Sequence, residues 1–152
     1  MKVALDYRPA LFSRSGIARS VRELCRALSL HQPDISLHLF GHALRGVRFG
    51  EAPDKASLHR SRLPGRSLPL LSSLGLDAAR LSGGSRLFHW TDYVYPPVGE
   101  DTLVVQTVHD LAFLSDTRFH GQVQSRILAS RFAKALSRAD CILCPSESTA
   151  SD

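Results

Sequence analysis

The chain has 152 residues, 43% of them hydrophobic and 22% charged. That is enough to bury one core, too short for two ordinary domains, and unlike a disordered polyelectrolyte. Lysine and arginine outnumber aspartate and glutamate by 19 to 14, a mild basic excess that favours anionic partners without choosing among phosphates, nucleic acid and an acidic membrane surface.

Residues 2–6, KVALD, read as a short buried strand, and residues 7–15 as a loop around Pro9. From Gly16 the apolar residues Ile17, Val21, Leu24, Cys25 and Leu28 recur at helical spacing, with Arg19, Arg22, Glu23 and Arg26 on the outer face. Ser15 is a suitable N-cap for this helix and Pro33 a suitable stop. Residues 35–40 alternate like a strand, 41–56 are a charged, glycine-bearing loop, and 56–63 hold a third strand. The leucines of 64–82 suggest one helix starting near Pro69 and weakened at Gly75. RLFHW (86–90) is a strand, 91–101 a loop rich in Tyr and Pro, and TLVVQTVH (102–109), with its β-branched run, the strongest strand. An irregular stretch leads to a helix over 122–138, with Val123, Ile127, Phe132 and Leu136 inward and Arg126, Arg131, Lys134 and Arg138 outward. DCILCP (140–145) is the last strand, and Ser146 is a good N-cap for a helix that follows.

Strands alternating with helices argue for an α/β fold, a Rossmann-like parallel sheet with helices on both faces. Ligands of such sheets bind at the carboxyl ends of the strands, around a topological switch point. Four strand ends carry polar groups there: Asp6 to Arg8, His89 to Tyr93, His109 with Asp110, and Ser146 to Thr149. Gly16 opens a helix after a loop, where a backbone can approach an anion closely; a plain N-terminal glycine is the competing reading. His109 is a candidate proton donor or hydroxyl-binding group, or a histidine bonded to backbone; Asp110 is equally a loop or helix cap. His89 and Trp90 have the bland alternative of plugging a sheet edge.

Other chemistries find little support. Neither G-x-G-x-x-G nor G-x-x-x-x-G-K-[ST] occurs, and there is no G-x-S-x-G elbow. His89, Asp92, His109 and Asp110 lack a tight ligand spacing, so no metal is expected. The three cysteines, Cys25, Cys141 and Cys144, lie in apolar runs and read as buried thiols in a reducing, cytoplasmic setting. Lys55, Arg60, Arg62 and Arg66, and the outer face of the 122–138 helix, suit either solvated surface or anionic lipid headgroups, so peripheral contact with the inner face of the cell membrane stays open. Aromatics do not interleave with the basic residues, so no nucleic acid is expected. MKVALDY has only three apolar residues before Asp6, too few for a secretory signal, and no stretch has the length of a transmembrane helix.

Several segments, in order, resemble family 4 glycosyltransferases of the GT-B type. VALDYRPALFSRSGIARSVRELCRALS is similar to the family's opening strand, loop and G-I-G-R-Y-like helix start, departing at Ala18 and Ser20. LFHWTDYVYPP resembles its F-H-x-x-x-Y-x-x-P segment, TVHDLAFL its T-x-H-D-L strand end, and RADCILCPSESTASD its A-D-x-I-x-x-x-S-x-x-T segment. The resemblance implies one half of a GT-B architecture. Residues 1–145 would be the N-terminal, acceptor-side domain, and 146–152 the start of a helix leading to a missing C-terminal donor domain, whose E-x7-E motif is absent here. It implies retaining transfer of a sugar from a nucleotide-sugar co-substrate to a glycan or lipid-linked glycan, without a metal or other cofactor, as in polysaccharide biosynthesis. It further implies His109 against the transferred sugar, Asp110 supporting its loop, Gly16 at the donor diphosphate, and Arg8, Tyr93 and Ser146 along the cleft. A half alone would be inactive. The alternative is a non-catalytic α/β module, an orphan half that binds a glycan or a protein.

Overall fold

The computed structural model describes residues 1–42, 52–62, 67–115 and 122–152. Its elements are β1 (Lys2–Asp6), α1 (Arg8–Phe12), α2 (Gly16–His31), β2 (Ser36–His42), β3 (Ser57–Ser61), α3 (Leu68–Ser73), α4 (Ala78–Leu81), β4 (Leu87–Trp90), β5 (Leu103–Thr107), α5 (Ala112–Ser115), α6 (Gln122–Arg138), β6 (Cys141–Leu143) and α7 (Glu147–Ser151). The six strands form one parallel sheet in the order β3-β2-β1-β4-β5-β6. The chain winds outward from β1 to β3, returns to β4 on the other side of β1, and winds outward again. The switch point therefore lies between β1 and β4, and the carboxyl ends of those strands form a crevice.

Side-chain alternation sorts the core into layers. Leu5, Leu37 and Leu39 point to one face and pack with Ala10, Leu11, Val21 and Cys25 of α1 and α2. Ala4, Phe40, Phe88 and Val104 point to the other and pack with Leu68, Ala78, Ala79 and Ala135 of α3, α4 and α6. In register, one row crosses the whole sheet as Leu58, Leu39, Leu5, His89, Val105 and Cys141. Its first three members lie in the core under α1 and α2. Toward the far edge the same face opens: Leu103 is 55% and Leu143 46% exposed, and Cys141 is exposed as well. Buried thiols were expected at Cys141 and Cys144. Only Cys25 is buried, Cys144 is half-buried, and the edge position of β6 is the reason.

Local chemistry explains most boundaries. Ser15 caps α2 by accepting from the Ala18 N–H, and Ser146 caps α7 by accepting from Thr149. The expected loop at 7–15 contains α1, because Pro9 sits in its first turn, where a missing N–H costs nothing. The single helix expected over 64–82 is two: Gly75 takes φ +78, and Asp77 restarts the chain as α4 by accepting from Ala79 and Arg80. Residues 64–66 of that stretch, Arg66 among them, lie outside the described residues, as do residue 63 of the expected third strand and 43–51 of the expected loop. α5 occupies part of the stretch expected to be irregular. β4 is an internal strand, so His89 and Trp90 are core residues and not edge plugs.

Three assignments to helix faces change. Ile127, expected inward, is 47% exposed, while Leu128 packs with Phe132 and Phe113; the side chain of Val123 lies outside the described ones. Arg138, expected in solvent, bends back to donate from Nη2 to the carbonyls of Gly99 (2.7 Å), Glu100 and Thr102. Its Nη1 meets Asp140 at 3.4 Å, and Asp140 accepts from the Val104 N–H at 2.8 Å. Arg22 similarly donates to the carbonyls of Ala10 and Ser13, tying α2 to α1.

Replacing Arg138 by Met keeps the apolar stem and removes these charge-assisted bonds. The expected cost is about 2 kcal/mol, read as a lower urea midpoint with unchanged slope. An unchanged midpoint would mean that α6 is held by packing alone.

Candidate functional site

The polar groups at the carboxyl end of the sheet are bonded to each other. At the end of β1, Asp6 is fully buried, and both its oxygens hold Arg8: Nε donates to Oδ1 at 2.8 Å and Nη2 to Oδ2 at 2.6 Å. The Arg8 N–H also donates to Oδ1, at 3.1 Å. Burial works against the Arg8 charge, but the carboxylates of Asp6 and then Asp92 prevail and raise its pKa. From there Nη2 reaches across the switch point to the carbonyl of Val94, at 2.7 Å.

At the end of β4, Thr91 is buried and donates its hydroxyl to the Asp6 carbonyl at 2.6 Å. Its own carbonyl is 2.9 Å from His109 Nε2, at the end of β5. A carbonyl can only accept, so Nε2 carries the hydrogen and the neutral ring keeps its lone pair on Nδ1. Nδ1 has no partner among the described residues. The Tyr93 hydroxyl clamps the next residue by donating to the Asp110 carbonyl (2.7 Å) and accepting from the Asp110 N–H (2.8 Å). Tyr93 also packs edge-on to His109. The Asp110 carboxylate accepts from the Ala112 N–H and so starts α5. From α7, which follows β6, Thr149 donates to the His109 carbonyl at 3.3 Å and sits 3.0 Å from Ser146 Oγ.

The expected site residues therefore fall into two groups. Tyr93, His109, Asp110 and Ser146 meet on one side, with Ser146 joined through Thr149. Arg8 lies on the other, lining a cavity of about 410 Å³ with Ser13, Ser15 and Asp92. Gly16 opens α2 immediately after Ser15, and a Cβ added there would meet nothing within 4 Å. Its glycine is thus required neither by packing nor by a left-handed backbone. The loop from Asp92 to Val94 borders both groups.

Thr91, Asp6 and Thr149 carry bonds of the site without having been singled out among the polar strand ends. The one available signal was their position next to His89, Arg8 and Ser146. Among the described residues no group of three or more His, Cys, Asp and Glu is arranged to hold a metal ion.

His89 lies behind this rim, 6% exposed, with Nε2 2.7 Å from Thr107 Oγ1. Burial, reinforced by His109, pushes its pKa down to about 4. The unfolded chain protonates the same ring near pH 6.5, so between these values the unfolded state binds more protons. Stability is full above about pH 6.5 and is lost as pH falls toward about 4, by roughly 3 kcal/mol. His38, lowered by burial and by its neighbour His59, adds in the same direction. Urea midpoints measured from neutral pH downward should fall across that window, and His89→Gln should flatten the curve. A midpoint independent of pH would show that His89 protonates without penalty.

The sequence model of the family described as Glycosyltransferase Family 4 matches residues 14–152. Comparison with curated proteins and with solved structures gives no match.

Proposed function

This chain belongs to glycosyltransferase family 4, and we propose that it is the acceptor-side half of a retaining enzyme that transfers a sugar from a nucleotide-sugar donor to a carbohydrate acceptor. The observation that carries the reading is the bonded rim at the switch point. His109 is held through Nε2 by Thr91, with Nδ1 left to accept a hydroxyl of the transferred sugar. The open space around Gly16, at the positive end of α2, suits the donor diphosphate. Arg8, locked by Asp6 and Val94, lines a cavity with Ser15 and Ile17, the chain neighbours of Gly16.

In this reading the C1–O bond to the leaving phosphate breaks as the acceptor oxygen bonds to C1 on the same face. The acceptor proton passes to the leaving phosphate oxygen. No protein nucleophile is needed, so the rim contributes position and charge stabilisation. The nucleotide sugar is a co-substrate, and no resident metal takes part. A second domain completes the donor site. The free state of all three cysteines supports a cytoplasmic setting. No helix among the described residues is long and apolar enough to cross a membrane. Exposed Lys55 and Arg62 suit peripheral contact with an anionic surface.

The test is transfer by the full-length protein from a panel of nucleotide sugars. His109→Ala should lower kcat by about 100-fold while shifting the melting temperature by only a few degrees, about what one lost hydrogen bond costs. Unchanged turnover by the folded variant would make His109 structural. Absence of any nucleotide-sugar binding by the full-length wild-type protein would favour a non-catalytic glycan- or protein-binding module.

A further inference from the structure

A second cavity, of about 650 Å³, opens between α6 and the segment that follows β4. Its floor is Trp90, Tyr95, Pro96 and Pro97. Each aromatic already makes one hydrogen bond through its polar handle. The Trp90 indole N–H donates to the Pro96 carbonyl at 3.0 Å, and the Tyr95 hydroxyl accepts from the fully buried Gln106 amide at 3.3 Å. The two rings pack edge to face, 5.3 Å between centroids. Prolines bring no N–H. The lining therefore presents carbon surface with few directional partners. That suits a hydrocarbon body and not a free sugar, whose hydroxyls would lose water without replacement.

The rim has the opposite character. Arg131 and Lys134, both exposed and one turn apart on α6, border the cavity and have no carboxylate partner among the described residues. Arg138 also borders it but is spent on backbone carbonyls. Glu100 is the lone carboxylate of the lining among the described residues, so the described rim carries a net positive charge and complements an anion. Val94 lines both this cavity and the one beside Arg8, so the two adjoin.

We propose that this pocket seats the lipid-phosphate portion of the acceptor: a hydrocarbon chain against Trp90, Tyr95 and Pro97, and its phosphate or diphosphate at Arg131 and Lys134. The assignment rests on the transferase reading, because Val94 then separates the seated lipid from the rim where the glycan end would react.

Trp90 is the single tryptophan of the 152 residues, so its emission reports directly on this pocket. Farnesyl phosphate, titrated into the chain below its critical micelle concentration, should change that emission saturably. Farnesol should bind about tenfold more weakly or worse, the value of one charge-assisted contact, and inorganic phosphate should leave Trp90 unchanged. The double variant Arg131→Gln with Lys134→Gln, at exposed positions, should bring farnesyl phosphate down to the affinity of farnesol without altering farnesol itself. Equal binding of farnesol and farnesyl phosphate, or indifference to the double variant, overturns the phosphate assignment. No response of Trp90 to either prenyl compound overturns the pocket. Sugar transfer by the full-length protein to a water-soluble glycan, with Trp90 silent toward farnesyl phosphate, overturns this inference and leaves the transferase reading standing. A saturable Trp90 response in this chain, with no nucleotide sugar accepted by the full-length protein, overturns the transferase reading and leaves a lipid-phosphate pocket.

Discussion

Thr91 holds the working end of this sheet together. Its hydroxyl ties β4 to the last carbonyl of β1, and its carbonyl receives the Nε2 hydrogen of His109 at the end of β5. Parallel strands leave their terminal carbonyls without ladder partners, and at a switch point no crossover runs between the two central strands. One buried threonine therefore satisfies polar groups that would otherwise be orphaned and aligns three strand ends. The orientation and tautomer of His109 follow from that alignment rather than from anything in its own strand.

Around this stitch the charges are committed in advance. Asp6 is buried, and its charge is tolerable because Arg8 meets it with a bidentate pair and a backbone N–H completes its shell. The same guanidinium anchors the loop after β4 through Val94, while Tyr93 of that loop anchors the turn after β5 through Asp110. The loop is thus fastened on both sides, and a ligand entering there meets groups that need no reordering.

The two faces of the sheet are covered differently. One is covered by α3, α4 and α6 except at the edge, where Ile142 is exposed, and where α6 meets the proline-bearing segment it leaves an aromatic pocket with a cationic rim. The other is covered by α1 and α2 over the first strands and exposed over Leu103 and Leu143.

The residues themselves determined a great deal. The parallel α/β order, the buried β1, the strand β5, and the caps Ser15 and Ser146 all rest on short-range chemistry: β-branched runs, helical spacing, and a hydroxyl three residues before an orphan N–H. His109 and Asp110 stood out because polar groups ended an apolar run, and the family resemblance rested on the order of such segments. What tertiary structure decided was every relation across long separations. Arg138 reads as solvated until the carbonyls of Gly99 and Thr102 are brought beneath it. Ile127 and Leu128 are adjacent apolar residues of one helix, and only the packing of α6 chose Leu128. Cys141 looks buried until β6 becomes the sheet edge. Thr91 gave no local sign of joining β1 to β5. Periodicity and capping are set within a few residues, whereas burial, register and hydrogen-bond partners are set by which strands become neighbours, and that depends on the whole chain at once.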